Sequence, residues 1–405
     1  MDVVASTTHS RAANAIPRYR DLRRRTSTKL KAKAVMKSRR RYTKGLWGLI
    51  LGVTLLLVPG CWNQLPVNEL AIAVALAVSA DHQWTFLFPN ATVTASSLTS
   101  MSSSEQFYPI TVRAASYQAA LDRVQRQSPR AVGVGDLETL IISARLTTEQ
   151  VTSIMHDVTL NGAVPIKLWL VASQNSPTSL LLHSTPETVV PVYGISSYFS
   201  CHGCHAANLG VRGWQWWVRR VTPGISPVIP MVTATPTGLA VREMLVYPAQ
   251  GKPLTMPRRV TDGFSYLTGK VTKSVLPLQV GHQRYLIASV RDHASSHVQL
   301  TPTAVHVHVV IHAIGDLVGA PPGQMITSAT EQAVDRAASR AILSQSLLTI
   351  DWANRTRTDP FGYAERGAWL RNTVATAIPP SALAGLPIHA QVRVSMQIQG
   401  EGVSR

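Results

Sequence analysis

Short apolar segments recur through the first half of the chain and predict strands. The run at 70–78 (LAIAVALAV) is continuously apolar and has no helix cap, so we expect a buried strand there. The sequence QWTFLF at 83–88 predicts a second strand. The segments at 137–144 and 164–172 are also apolar and predict two more strands.

Helical patterns separate these strands. Ser116 is a suitable N-cap for a helix over 117–127. Thr147 with Gln150 three positions later is a capping-box pattern, and apolar residues then recur at helical spacing. The order β-β-α-β-α-β predicts a mixed α/β domain at 61–185.

The second half mixes the same two patterns. Residues 174–236 are rich in Pro, Ser and Gly, so we place a domain boundary near 185. A middle domain with this connector is expected at 186–283, and a C-terminal α+β domain at 284–405. The elements expected there are a hairpin and a short helix over 237–270, strands within 284–314, helices over 326–347 and 363–376, and an alternating strand over 388–398.

A basic leader comes before these elements. Five Lys and Arg residues between 36 and 45 precede an apolar run at 46–58, about 13 residues long. A membrane-spanning helix needs about 20 residues. The sequence VPGC then ends at Cys61, and a small residue before a cysteine at this place is typical of a bacterial lipobox. Cysteine is needed because its thiolate takes up the diacylglyceryl group.

The leader therefore predicts a lipoprotein. We expect residues 1–60 to be a basic leader and signal peptide and Cys61 to carry the lipid, with no other cofactor. The alternative is an N-terminal anchor that is not cleaved. In both cases the body lies on the extracytoplasmic face of a membrane. The start codon is either that of Met1 or that of Met36. The expected fold class is α+β and multidomain, with mixed sheets and flanking helices after a lipoprotein signal peptide.

The net charge of +18 is concentrated in the leader. Residues 1–44 hold 14 of the 39 Lys and Arg but only 2 of the 21 Asp and Glu, which is +12. The remaining 25 bases and 19 acids give +6. A nucleic-acid interface needs basic residues across a folded face, so we predict no nucleic-acid partner.

A CHGCH motif occupies residues 201–205. CxxCH is the attachment pattern of c-type haem, in which Cys201 and Cys204 form thioethers and His205 binds the iron. Nothing in the sequence marks a second axial ligand, and Met231 is a guess.

Two other interpretations of CHGCH remain open. If Cys61 carries lipid, the remaining pair of cysteines can form a small-loop disulfide outside the cytoplasm. A zinc or other metal site would use His202 as well. The sequence favours the disulfide, or structural thiols, and we predict no resident metal.

Two further clusters have a functional and a structural interpretation. His306, His308 and His312 share one face of a predicted strand, because their spacing is even. They could bind a metal or act as a pH sensor. The sequence favours the simpler interpretation, in which they lie on a solvated face of the sheet. The tryptophans at 214, 216 and 217 either contact a bilayer or partner, or cap a small core. Asp359 with Gly362 predicts a turn.

Several segments together resemble the C-subunit lipoproteins of nutrient germinant receptors, the GerAC-like or Ger(x)C family. They are GCWN at 60–63 with ELA at 69–71, the block LETLIISARLTTEQVTSIMHDVTLNGAVPIKLWLVAS, residues 241–269, and TRTDPFGYAERGAW. The family usually has Asp after the Trp, where this chain has Asn63. The resemblance rests on the order and spacing of these segments, and it covers nearly all of residues 58–402.

The resemblance implies a function without catalysis. It implies a lipid-anchored protein on the outer face of the inner spore membrane that acts with two integral membrane subunits, A-type and B-type, in triggering germination. The absence of a Walker loop, GxSxG, HExxH and a strand-to-helix glycine fingerprint agrees with this. The alternatives from other classes are an exported c-type haem or redox protein and a solute-binding lipoprotein.

Overall fold

The computed structural model describes Pro66 and residues 69–90, 106–183, 193–322, 326–370 and 378–399. The leader and Cys61 lie outside these residues, as does the end of the helix predicted over 363–376. The described chain contains helices and mixed sheets, so the predicted α+β class is confirmed. Among the helices of these ranges, none is long and apolar enough to cross a membrane.

The strands are β1 (Leu70–Ile72), β2 (Ala75–Val78), β3 (Gln83–Pro89), β4 (Phe107–Arg113), β5 (Ala131–Gly133), β6 (Thr139–Ser143), β7 (Trp169–Ser173), β8 (Val228–Thr235), β9 (Gly238–Val246), β10 (Leu254–Met256), β11 (Ser274–Val280), β12 (Gln283–Leu300), β13 (Val305–Gly319) and β14 (Ile388–Gln399). The helices are α1 (Tyr117–Gln127), α2 (Thr148–Leu160), α3 (Pro177–Leu181), α4 (Tyr193–Ser200), α5 (Gly213–Val221), α6 (Arg258–Leu267), α7 (Ser328–Thr356), α8 (Tyr363–Leu370) and α9 (Pro380–Leu383).

An eight-stranded mixed sheet has the order β10-β9-β8-β7-β6-β2-β3-β4. Its centre from β8 to β2 is parallel, and the pairs on either side are antiparallel. Every residue of β2, β6 and β7 is buried. Strands that are covered on both faces are apolar throughout, which explains why these segments show no alternation. The sheet takes strands from both sides of residue 185, where the sequence predicts a boundary.

Local capping signals place two helices as predicted. Ser116 Oγ accepts a hydrogen bond from Ala119 N at the start of α1 (3.3 Å). At the start of α2, Thr147 Oγ1 accepts from Gln150 N, and Gln150 Oε1 accepts from Thr147 N. This reciprocal pair satisfies N–H groups that the first turn of a helix leaves without partners.

A four-stranded sheet forms the C-terminal part, in the order β11-β12-β13-β14. Strands β12 and β13 form a long antiparallel hairpin, and β14 pairs with β13 in parallel. Val305, Val307, Val309 and Ile311 of β13 are buried, and the residues between them face outward. The alternation predicted for this strand is therefore confirmed.

Helix α7 covers the edge of β14 that does not pair with β13. Asp335 and Ser339 accept hydrogen bonds from backbone N–H groups near the end of this strand (3.1 and 3.0 Å). Asn354 accepts from the backbone N–H of Ile388 (2.7 Å) and donates to its carbonyl (3.0 Å). An open strand edge is a site of aggregation, and here helix side chains supply partners for its backbone.

The structure corrects the extent of several predicted elements. The run at 70–78 is divided, because Ala73 N donates to Gly133 O (2.8 Å) and Val74 N donates to Leu87 O (2.9 Å), so the chain passes from the β1–β5 pair to the large sheet. The strand predicted from 164 begins only at Trp169, after a turn that contains Pro165.

Two more elements differ from the sequence prediction. The sequence gives no sign of β4, whose residues are mostly exposed or half-buried and include Pro109. Helix α7 extends to Thr356, beyond the predicted end at 347, and ends with Arg357 in the left-handed conformation (φ 52°). Both differences arise from tertiary contacts with β3 and with β14 that no local pattern encodes.

Candidate functional site

The CHGCH segment forms a small loop directly after α4. Cys201 N donates to Ser197 O (3.0 Å), which continues the last helical turn. A disulfide joins Cys201 and Cys204, whose Cα atoms are 5.6 Å apart. Gly203 between them has a φ of +82°, a backbone conformation that residues with a Cβ rarely adopt. The loop is exposed, and while the disulfide persists its sulfur atoms are not free to form thioethers.

The ring of His205 lies against an aromatic side chain. It stacks on Tyr198 with ring centroids 3.6 Å apart and an interplanar angle of 14°. Burial lowers the pKa of His205, and a backbone hydrogen bond at Tyr198 opposes this change. The His205 carbonyl accepts from Thr272 Oγ1 (2.7 Å). This contact holds the loop against the segment that precedes β11.

His202 and Met231, the other candidate haem or metal ligands, have different surroundings. His202 is exposed, and its Nδ1 lies 3.4 Å from Asn208 Nδ2. Met231 is buried in β8, where it pairs with Ala172 of β7. Within the described residues, no group of three or more His, Cys, Asp or Glu side chains is placed to hold a metal ion.

A cavity of about 690 Å³ opens at the amino ends of the parallel strands β2, β6 and β7. The Arg212 guanidinium lies 3.3 Å above the Trp169 ring and donates to Lys167 O (2.6 Å). Asp136 and Glu138 line the same cavity. A cation stacked on an aromatic ring and two carboxylates together provide partners for a small polar ligand of mixed charge.

Burial changes the acid–base properties of this cavity. It lowers the pKa of Arg212, an effect that the nearby Glu138 carboxylate opposes. Burial also raises the pKa of Tyr193, and the carboxylates of Glu138 and Asp136 raise it further. Ligands of open α/β sheets usually bind at the carboxyl ends of the strands, so the case for this cavity rests on its own residues and not on the fold.

The turn predicted at Asp359 and Gly362 is confirmed. Asp359 is buried, and its carboxylate accepts three hydrogen bonds, from the backbone N–H groups of Phe361, Gly362 and Ala364 (3.0, 2.9 and 2.7 Å). Burial raises the pKa of Asp359 to about 6, against the effect of these donors. The carboxylate caps the start of α8 and has a structural role.

The tryptophan cluster divides between core and surface. Trp216 is fully buried and meets Tyr247 edge to face, with ring centroids 5.9 Å apart. Trp217 lies against His156 at 6.0 Å, and Trp214 is 42% exposed. Trp216 therefore packs in the core, as one of the two interpretations of the cluster predicts. Of the three tryptophans, only Trp214 presents a large surface to solvent.

Comparison with protein-family models finds a match for the N-terminal part of the described chain. Residues 63–234 match the family model described as the spore germination protein N-terminal domain. This match covers β1 to β8, with the capped helices α1 and α2 and the CHGCH loop. Residues 63–234 are therefore similar to the spore germination protein N-terminal domain, which agrees with the resemblance of the sequence to the GerAC-like family.

A solved structure extends the likeness to most of the fold. The crystal structure of the GerBC protein superposes with a TM-score of 0.52 and covers 80% of this chain and 96% of that chain. The two sequences are 11% identical, so this likeness concerns the fold. No curated protein sequence matches the chain.

Sequence reasoning did not find the cavity beside Trp169. Its lining residues come from six separate segments of the chain, and the sequence predicts only a strand at Trp169. Arg212 is the N-cap residue of α5, and its backbone N–H donates to the side-chain oxygen of Gln215, but this local signal does not reveal the contact of Arg212 with Lys167. A pairing of segments 45 residues apart is not encoded in such a signal.

Proposed function

We propose that this protein is a non-catalytic, lipid-anchored subunit of a nutrient germinant receptor, needed to trigger spore germination. The match of residues 63–234 to the spore germination protein N-terminal domain carries the proposal. The fold shared with the GerBC protein supports it over the C-terminal part as well. The expected partners are two integral membrane subunits, of A-type and B-type.

The proposed anchor is a lipid on Cys61 on the extracytoplasmic face of the inner spore membrane. The run at 46–58 and the sequence VPGC support it. Burial of acyl chains contributes about 0.8 kcal/mol per methylene, and two or more chains hold a protein durably. Such an anchor concentrates the folded body beside integral subunits of the same membrane.

The test of this function is complementation of a deletion strain. Spores that lack the gene should form normally and fail to germinate with one nutrient, and the wild-type gene should restore the response. Cys61→Ala should remove the lipid, detected by mass spectrometry, and release most of the protein from the membrane fraction. The double variant Cys201→Ala/Cys204→Ala is the matched control, because it removes two sulfurs and keeps the lipid.

Normal germination of the deletion strain with every nutrient would contradict the proposed function. Membrane retention of the Cys61→Ala protein would instead support an uncleaved anchor and leave the receptor function standing. The two results therefore separate the role of the protein from the chemistry of its attachment.

For the CHGCH loop we propose a structural disulfide. The bond between Cys201 Sγ and Cys204 Sγ supports this role, because it occupies both sulfur atoms that a haem would need for its thioether bonds. An absorbance spectrum of the purified protein tests it: a Soret band would mean haem and a redox function. Thiol titration of the unfolded, unreduced chain should find no free sulfhydryl at Cys201 or Cys204.

The cavity beside Trp169 favours a second candidate function, capture of a small solute. Its volume of about 690 Å³ and its opposite charges suit a zwitterion such as a free amino acid. Isothermal titration with amino acids tests this, with Arg212→Ala expected to abolish any heat of binding. If no amino acid binds the wild-type protein, the solute-binding function is excluded for that class of ligand.

A further inference from the structure

Six of the thirteen histidines of the chain lie on one outward face of the C-terminal sheet. They come from three adjacent strands: His293 and His297 from β12, His306, His308 and His312 from β13, and His389 from β14. All are exposed except His308, which is half-buried. The opposite face of β13 is apolar and buried, so the outward face does not serve the core.

The strand register places these histidines directly opposite one another. His297 pairs with His308 across the antiparallel hairpin, and His306 pairs with His389 across the parallel pair. In an antiparallel pair such as β12 and β13, residues directly opposite on one face have Cβ atoms about 4.5–5.5 Å apart. The rings of His306 and His389 are 5.2 Å apart between centroids, with an interplanar angle of 27°. Two imidazoles at such a spacing can approach a single ion together.

The two pairs are neighbours on the sheet. His306 and His308 are two residues apart on β13, so they point the same way on adjacent positions. Together with His297 and His389 they form what we call the four-histidine patch. All four line one cavity of about 510 Å³, which helix α7 borders with Asp351 and Asn354.

The third pair is less suited to bind an ion. His293 pairs with His312, and His312 Nδ1 already lies 2.7 Å from Ser395 Oγ. Arg393 lies on the same face, between this pair and the four-histidine patch, and its positive charge opposes binding of a cation there. The patch itself has only Gln299 and Gln391 as its other cross-strand neighbours.

We propose that the four-histidine patch binds a divalent transition-metal ion of the zinc, copper or nickel type. Neutral imidazole is a preferred ligand of these ions, while Mg²⁺ and Ca²⁺ prefer oxygen. In the described side-chain positions no three ligands converge, so the ion is held first by one facing pair. Rotation of the exposed rings of His297, His306 and His389, which takes place in nanoseconds, brings ligands of both pairs to it.

The site is independent of the proposed receptor function, since it uses only residues of β12, β13 and β14. Its test uses the full chain in detergent micelles, carrying an affinity tag without histidine and freed of metal with a chelator. Zn²⁺ is titrated in competition with a chromophoric chelator. We expect saturable binding of one ion per chain at neutral pH.

Paired variants locate the ligands. His306→Gln/His389→Gln and His297→Gln/His308→Gln should each weaken binding at least tenfold, or about 1.4 kcal/mol. The variant that combines all four should lose the saturable site. His282→Gln is the matched control, because His282 is exposed in the turn between β11 and β12, and it should bind as the wild type does. Unchanged circular dichroism shows that each variant is folded.

X-ray absorption at the zinc edge identifies the donor atoms, and we expect nitrogen ligands with the outer-shell scattering of imidazole. The proposal is overturned if the fourfold variant binds Zn²⁺ with wild-type affinity, or if the wild-type protein binds none. Sulfur ligands in the spectrum would also overturn it, because they would place the ion at the CHGCH loop.

Discussion

At the scale of single residues, the buried Asp359 and the partly buried Asp292 show how backbone donors affect the ionisation of a carboxylate. Asp359 faces three backbone N–H donors, which bond to both of its oxygens. Asp292 accepts from Val271 N (3.0 Å), and its Oδ2 is buried with no partner among the described residues. Burial raises the pKa of Asp292 to about 7 and that of Asp359 to about 6. Fewer donors leave the ionised form of Asp292 less stable.

We expect Asp292→Asn to stabilise the protein above neutral pH. The pKa of Asp292 is higher in the folded state than in the unfolded chain, so its favourable contribution is complete below about pH 4 and is lost as the pH rises through about 7. The amide has no charge to lose. At pH 8 the variant should exceed the wild type by about 1–3 kcal/mol in free energy of unfolding, measured with denaturant. Equal pH profiles for both proteins would contradict this.

Asp359→Asn should have the opposite effect. An amide at this position can accept through one oxygen only, and its NH₂ group would face the donor N–H of Phe361 and Gly362 or that of Ala364. We expect a loss of about 2–3 kcal/mol in free energy of unfolding at pH 7. Thermal unfolding of both asparagine variants in parallel measures the contrast. If Asp292→Asn lost as much stability as Asp359→Asn, the number of backbone donors would not explain the difference between the two carboxylates.

At the scale of elements, helix α7 packs closely against two neighbours, helix α6 and strand β14. One side meets α6, where Thr349 Oγ1 donates to Val260 O (2.9 Å). Another side covers the free edge of β14 through Asp335, Ser339 and Asn354. The helix therefore joins the C-terminal sheet to the core through both neighbours.

Gly263→Ala should be strongly destabilising because α6 and α7 touch at this glycine. A Cβ at Gly263 would overlap Thr349 Oγ1 and the Gln345 carbonyl oxygen. The carbonyl belongs to a helix backbone and cannot move aside, so we expect a loss of about 3 kcal/mol. Gly238→Ala is the control, since a Cβ there meets nothing within 4 Å, and it should change stability by less than about 0.5 kcal/mol. Thermal denaturation compares the two, and equal losses would refute the close-contact argument.

Asn354→Ala should loosen the start of β14. The substitution removes both hydrogen bonds to Ile388 and leaves that backbone without its partners, which costs about 2–3 kcal/mol. Gln397→Ala on the exposed side of the same strand is the control and should be nearly neutral. Hydrogen exchange should show faster exchange at the Ile388 amide in the first variant only. Unchanged exchange there would mean that α7 does not hold this edge.

The sequence could predict what depends on neighbours along the chain. The N-cap at Ser116, the capping box at Thr147 and the alternation of β13 are local patterns, and each is present. The facing of His306 and His389 could not be predicted, because it depends on a parallel register between strands whose paired residues lie 83 positions apart in the chain. The cavity beside Trp169 was missed for the same reason.

At the scale of the whole molecule, one hydrophobic cluster runs through both large sheets. It includes Trp84 and Leu140 of the first sheet, Phe264 of α6, and Val307 and Ile311 of the second. A core shared in this way links the stability of the two sheets, although the sequence predicts separate domains at 61–185, 186–283 and 284–405. Those boundaries stay predictions.

We therefore expect one cooperative unfolding transition. Differential scanning calorimetry of the chain should give a calorimetric enthalpy close to the van't Hoff enthalpy, since neither sheet can lose its buried residues without exposing those of the other. Gly263→Ala should lower the temperature of this single transition. Two resolved transitions would show that the predicted boundaries separate units that unfold independently.

The position of β14 in the chain has a consequence for biosynthesis. Of the described strands, β14 is the last to be synthesised, yet it is the only described neighbour of β13 on that side and the element that α7 covers. Until the ribosome has passed Gln399, an emerging chain presents the row of unpaired amides on β13 to other molecules. A stop codon introduced within β14 should accordingly yield an insoluble product.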